Sequence, residues 1–213
     1  MAWLAGLDAA LFFWINHDLA NSFFDGLMPL ISSKRLLPVG FLMVALFALR
    51  MGRRGLPAII CLAAIIGLGE GLVLSPLKEW IGRPRPPVTL DGVRLIVGLG
   101  GSGSMPSAHA ANWFCATTVL ALFYRPSLFF TLPLAILVSF SRVYNGVHYP
   151  ADVFVGGVLG AAYGYVGVQG VHWAWHHATR RWFPRAFDYL PSILPPKTPR
   201  DIPPTSDEIR PSK

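Results

Sequence analysis

Five apolar stretches, residues 36–51, 56–77, 106–124, 127–144 and 150–171, dominate this 213-residue chain and restrict how it can fold. A helix of about 20 apolar residues crosses the hydrocarbon core of a bilayer, and these stretches approach or reach that length. The composition agrees. Hydrophobic residues make up 53% of the chain and charged residues 14%, whereas a soluble domain carries roughly 25% charged residues. Mean hydropathy is +0.48. The expectation is an all-α protein, a polytopic transmembrane bundle of about six helices. Five are the stretches above, and the N-terminus supplies the remaining element. There, residues 3–15 and 19–31 are apolar runs of 13 residues each, split by Asn16-His17-Asp18. They suit an interfacial hairpin or one irregular span, and the sequence leaves both open. Three segments result: short helices at 1–33, a transmembrane domain at 34–181, and a Pro-rich polar tail at 182–213 that reads as disordered and cytoplasmic. Connections at 52–55 and 125–126 are tight enough for antiparallel helical hairpins, while 78–105 is a longer loop rich in Gly and Pro. Residues Met1 to Asp8 lack the basic region of a cleaved signal peptide, so insertion is expected to use the spans themselves.

The net charge of +7 does not point to nucleic acid, because the cations form no stripe on a polar surface. They sit between apolar runs, where they orient helices and meet lipid head groups. Membrane lipids are therefore the expected partners, and no oligomeric state follows. Arg50, Arg53, Arg54, Arg125, Arg180, Arg181 and Arg185 fall on one side by helix counting, which is expected to be cytoplasmic. Lys34, Arg35, Lys78, Arg83, Arg85, Arg94 and Arg142 fall on the other. Such an excess of cations outside makes sense if several of them bind an anion. Cys61 and Cys115 lie inside apolar runs and read as buried thiols. No Cys/His spacing suggests zinc and no carboxylate cluster suits magnesium, so neither metal nor cofactor is expected.

Three polar clusters interrupt the apolar pattern, each beside a span. The first is Lys78 with Arg85-Pro86; the second is Pro106-Ser107-Ala108-His109; the third is Ser141-Arg142, His148 and Asp152. Span by span, all three arrive at one membrane face. Three cations and a hydroxyl suit a phosphate group. Pro and Ser open a helix at 106–107, and the free N–H groups of a first turn favour an anion. Pro150 can start the last helix and place Asp152 in its first turn. A carboxylate there can accept from one imidazole nitrogen of His148, fix the tautomer and leave the other nitrogen free to attack. Each cluster alone also fits a plainer reading: a basic anchor at the head groups, an ordinary serine cap, a His–Asp pair at a helix start. Arg83 is a second candidate in the first cluster, and reads as an anchor whose loss should cost little. Glu70 is a carboxylate inside a span, among Gly67, Gly69 and Gly71, and suits either function or packing between helices. His17 and Asp18 read as head-group residues, and His172, His176 and His177 as an aromatic–basic anchor with Trp173 and Trp175.

The spacing Lys, six residues, Arg-Pro, then Pro-Ser-x-His, then Ser-Arg, five residues, His, three residues, Asp resembles the type 2 phosphatidic acid phosphatase family of membrane lipid phosphatases. The likeness spans about residues 36–171. One departure is Ala108, where the family usually has Gly. The resemblance implies a six-helix-type bundle and a metal-independent site. It implies that His148 attacks phosphorus to give a phosphohistidine, with Asp152 orienting it. His109 would protonate the leaving oxygen and then assist water. Lys78, Arg85, Ser107 and Arg142 would hold the phosphoryl oxygens. Substrates so implied are lipid phosphates or diphosphates in the outer leaflet of a bacterial cytoplasmic membrane: undecaprenyl diphosphate, which analogy favours, phosphatidylglycerol phosphate or phosphatidic acid. A lipid A phosphatase or lipid phosphotransferase on the same scaffold, and a non-enzymatic head-group binder, are the alternatives. Soluble vanadium haloperoxidases share the anion site, but the apolar spans argue against them.

Overall fold

The computed structural model describes residues 2–33, 37–190 and 192–195. Lys34, Arg35 and residues 196–213 lie outside the described residues. The described chain is helical. α1 (Ala2–Phe13) runs into a π turn at Trp14–Asp18, and α2 (Ser22–Ile31) follows with Asn21 as its cap. α3 (Leu37–Arg50) and α4 (Gly55–Gly69) form the first expected hairpin, joined through Gly52–Arg54. α4 continues through a π turn at Glu70–Leu74 into α5 (Ser75–Ile81) as one rod. A short α6 (Pro86–Thr89) opens the long loop. α7 (Ala108–Phe123) and α8 (Leu128–Tyr144) form the second hairpin, and α9 (Pro150–Trp182) closes the bundle.

Leucines, isoleucines and phenylalanines on the outer faces are exposed, among them Leu56, Ile60, Leu72, Phe129, Ile136 and Phe154. This suits hydrocarbon as the surrounding solvent. Three helical stretches, Gly52–Thr89, Arg125–Tyr144 and Pro150–Trp182, are long and apolar enough to cross a membrane. Inside, α4, α7 and α9 share a core that includes Cys61, Ile65, Cys115, Val119 and Val168, and both cysteines are free thiols as expected.

Small residues let α7 and α9 approach unusually closely. A β-carbon at Gly156 would lie 2.5 Å from the Ser107 carbonyl oxygen, and one at Gly160 would lie 2.0 Å from that of Ala111. Lipid tails give apolar helices no hydrophobic reason to associate, so backbone-to-backbone packing of this kind supplies the attraction. It also fixes the register of Ser107 and His109 on α7 against His148 and Asp152 at the head of α9.

Two segments go beyond what the sequence suggested. The N-terminal helices cover the end of the bundle where the polar clusters meet. Asp8 Oδ1 accepts from the Ala151 N–H at 2.9 Å, at the start of α9. Asn16, beside the His17 and Asp18 expected at the head groups, is fully buried. It donates to the carbonyls of Arg94 (3.0 Å) and Tyr144 (2.7 Å), and its Oδ1 accepts from the Arg94 N–H (2.9 Å). Asn145 Nδ2 reaches the Met28 carbonyl at 3.2 Å. All these partners belong to one end of the bundle. At the opposite end, the last helix runs past residue 171 to Trp182, and the chain expected to be unstructured from 182 begins with α10 (Pro184–Tyr189). Leu190 and Ile193 are buried in the α4–α7–α9 core, Trp175 Nε1 donates to the Leu190 carbonyl at 2.9 Å, and Arg53 stacks 4.6 Å from the Tyr189 ring centre. Burial of two large aliphatic side chains is what keeps this first part of the tail on the bundle.

Candidate active site

The three clusters converge where the α5, α7, α8 and α9 ends meet. Pro150 takes the first position of α9, Tyr149 is the cap and His148 precedes it, as the sequence suggested. Asp152 lies in the first turn, and its Oδ2 accepts from the Tyr149 N–H at 2.8 Å. This local bond fixes the carboxylate beside His148. His148 Nδ1 stands 3.6 Å from Asp152 Oδ2, an ion-pair separation longer than a hydrogen bond. Both side chains are buried, at 2% and 0% exposure. Burial pushes the His148 imidazole down to about 4, against a smaller upward pull from Asp152. At neutral pH the ring is therefore uncharged, the form that can act as a nucleophile. Its other nitrogen, Nε2, faces Arg85 Nη1 at 3.4 Å.

Arg85 sits in extended backbone ahead of Pro86, as residues before proline prefer. It is buried and anchored by the carbonyls of Ser102 (Nε, 3.0 Å) and Val147 (Nη1, 2.9 Å). Lys78 lies in the last turn of α5 and reaches Ser102 Oγ at 3.4 Å. The Gly-rich segment thus closes over both cations; a β-carbon at Gly100 would stand 2.9 Å from an Arg85 Nη atom. Ser107 occupies the cap position of α7, yet its hydroxyl makes no cap bond. The hydroxyl is buried without a partner among the described residues, as is Arg142 Nε. The plainer serine-cap reading therefore does not hold. His109 is exposed on the second residue of α7, within the electrostatic field of Arg142, His148, Lys78 and Arg85. A cavity of about 700 Å³ opens beside these groups, lined by Glu70, Lys78, Arg85, Gly100–Gly103 and Ala108.

The structure separates the cations that the sequence could only group together. Arg83 donates to Asp152 Oδ1 at 2.7 Å and to Asp8 Oδ2 at 2.6 Å, and stacks 4.0 Å from the Tyr149 ring centre. It is no head-group anchor: it links the N-terminal helix to the carboxylate beside His148. Arg94 takes Asp25 in a fork of two 2.8 Å bonds. Among the described residues, Lys78, Arg85 and Arg142 have no carboxylate within 4.0 Å. Those three remain to balance an anion. Ser104, which the sequence reading passed over, donates through Oγ to Asp152 Oδ2 and through N–H to the Arg83 carbonyl at 2.7 Å. A serine between Gly103 and Met105 in a Gly-rich loop carries no local signal, so only the folded loop identifies it. Ser141 ties α8 to Ser32 of the N-terminal hairpin and does not join the cations.

Fold and site together define a helical membrane protein with a histidine–carboxylate pair beside a cavity lined by Lys78 and Arg85. The sequence pattern of the PAP2 superfamily matches residues 57–176, and the chain belongs to that family. It is similar to the lipid A 4'-phosphatase of Bacteroides thetaiotaomicron, 32% identical over 117 residues that make up 51% of each chain. It therefore spans about half the length of that relative. The undecaprenyl-diphosphatase of Sulfolobus acidocaldarius is 30% identical over 168 residues, 77% of this chain and 78% of that protein. The crystal structure of Aquifex aeolicus LpxE superposes with a TM-score of 0.61 at 26% identity, covering 76% of this chain and 95% of that one.

Proposed function

We propose that this protein is a membrane lipid phosphatase that hydrolyses a lipid phosphate or diphosphate through a phosphohistidine. The observation that carries this reading is the set of three cations, Lys78, Arg85 and Arg142, left without carboxylates around His148 Nε2, while Arg83 and Arg94 are neutralised. Phosphoryl transfer through a loose transition state needs positioning and spread positive charge more than covalent help. Here Lys78, Arg85, Arg142 and the Ser107 hydroxyl hold the three non-bridging oxygens. Nε2 of His148 forms the N–P bond as the P–O bond to the lipid breaks. His109 gives its proton to the departing oxygen, which leaves as the lipid alcohol or lipid monophosphate. Water then attacks the phosphohistidine, His109 takes its proton, the N–P bond breaks and inorganic phosphate leaves. Asp152, held by Tyr149, Ser104 and Arg83, keeps Nδ1 turned away from the substrate and offsets positive charge on the ring.

The site end lies opposite Arg53, Arg125 and Arg180, so the basic-loop rule turns it toward the periplasm or exterior of a bacterial cytoplasmic membrane. Phosphate release by the purified protein in detergent, assayed on lipid phosphates with excess chelator, tests this reading. Turnover is expected to persist, because side chains supply the positive charge. An acid-labile phosphoprotein should form and vanish in His148→Ala. Strict dependence on magnesium, or normal turnover by His148→Ala, would refute it.

A further inference from the structure

The rod from α4 through its π turn carries one carboxylate, Glu70, in an otherwise apolar stretch. A carboxylate at such depth is costly and calls for a partner. The wide turn Glu70–Leu74 takes up about one extra residue. The eight steps from Glu70 to Lys78 therefore advance like about seven, or two turns, which places both on one stripe about 10 Å apart along the axis. Ser75 Oγ donates to the Glu70 carbonyl at 2.9 Å and holds the wide turn. The cavity shows the same alignment, since Glu70, Leu74, Lys78 and Arg85 all line it. From α7, Asn112 Nδ2 donates to Glu70 Oε2 at 3.4 Å, and the Tyr163 hydroxyl donates to Asn112 Oδ1 at 3.4 Å. Asn112 is three residues beyond His109, on the same face of α7. No ion pair to Glu70 exists among the described residues. A carboxylate has about four lone-pair sites, and one long bond from Asn112 leaves most of them open.

We propose that Glu70 and Asn112 form a second subsite, which accepts a hydrogen-bond donor (a hydroxyl or amide N–H) from the lipid at the junction of head group and tails. This rests on the phosphatase reading above and narrows its substrate. A lipid whose phosphate lies among Lys78, Arg85 and Arg142 must lead its tail along this cavity toward the bilayer, past Glu70. A donor there satisfies the carboxylate. Bare hydrocarbon strips it of water without a partner, and a second phosphate repels it. Prenyl diphosphates present both disadvantages. The subsite therefore selects lipid monophosphates bearing an amide or hydroxyl near the linkage.

The test compares kcat/KM of the purified full-length protein on ceramide 1-phosphate, which carries both donors, and on a dialkylglycerol phosphate of matched chain length, which carries none. The wild type is expected to prefer the ceramide lipid by about tenfold or more. Glu70→Leu and Asn112→Leu should bring the ratio toward one, with Glu70→Gln, which keeps an acceptor, in between. The ratio is taken within each variant, so loss of folded protein cancels. Equal rates in the wild type, or a preference that survives in Glu70→Leu, would overturn the subsite while leaving the phosphatase reading intact. Release from neither lipid, but from undecaprenyl diphosphate, would overturn the subsite alone; release from no lipid phosphate or diphosphate would overturn both.

Discussion

Replacing Gly160 with alanine tests whether the α7–α9 contact sets the site. The added β-carbon would lie 2.0 Å from the Ala111 carbonyl oxygen and 2.7 Å from two other Ala111 backbone atoms. None of these can rotate away, as a side-chain end could. Restoring an ordinary contact of 3.4 Å requires the helices to part by about 1.4 Å, or to slide or tilt by a similar amount. Overpacking of this kind costs about 1–3 kcal/mol. The effect on chemistry should be comparable in free energy, about 2.7 kcal/mol for 10²-fold, and far easier to read. Ser107 and His109 ride on α7, His148 and Asp152 are tied to the start of α9, and a displacement of about 1 Å from productive geometry can cost 10²-fold in rate. The expected result is a kcat reduced about 10²-fold, in protein that still extracts as a monodisperse helical species with a modestly lower Tm. Gly170→Ala is the control on the same helix: its β-carbon would meet nothing within 4 Å. It should keep its rate and match or slightly exceed the wild-type Tm, since alanine favours helix over glycine by about 1 kcal/mol. A Gly160→Ala enzyme with near-normal kcat would refute the claim that this contact positions the site.

Four further outcomes are expected. Arg83→Ala strips a partner from the buried Asp152 and from Asp8, so kcat should fall at least about tenfold, equivalent to about 1.4 kcal/mol, with partial recovery in Arg83→Lys; a silent Arg83→Ala would return this residue to the role of anchor. Because burial lowers His148 to about 4, the nucleophile stays neutral until pH falls through that value, and the acid limb of kcat/KM should lie near pH 4; a limb at pH 6 or above would refute the burial argument. The same shift should make the fold lose stability as pH drops below about 6.5, where the unfolded histidine gains a proton that the buried one does not take up until about 4. With Cys61 and Cys115 replaced, Gly101→Cys should react with an impermeant thiol reagent in intact cells and Arg180→Cys only after permeabilisation; the reverse pattern would invert the proposed orientation.

The sequence alone determined the membrane-spanning character, the helical class and most of the polar groups that converge at one end of the bundle. Long apolar runs leave little choice but membrane-crossing helices, and ionisable residues stand out in such runs because each is costly there. The local constraints were equally legible: Pro150 placed Asp152 in the first turn beside His148, and Pro86 held Arg85 extended. What required the tertiary structure was the choice of partners across long sequence separations. Arg83 and Arg85 stand two residues apart in one motif, and nothing local says which one pairs with carboxylates. The answer depends on Asp8, 75 residues away from Arg83, on a helix whose position follows from how the N-terminal hairpin docks. Ser104, Asn16 and the return of Leu190 and Ile193 to the core were unreadable for the same reason. Glycines at 156 and 160 do carry a small-residue spacing in the sequence, but their meaning comes from the α7 carbonyls that press against them. A charge's cost can be read from its neighbours in the chain, whereas its partner is set by packing.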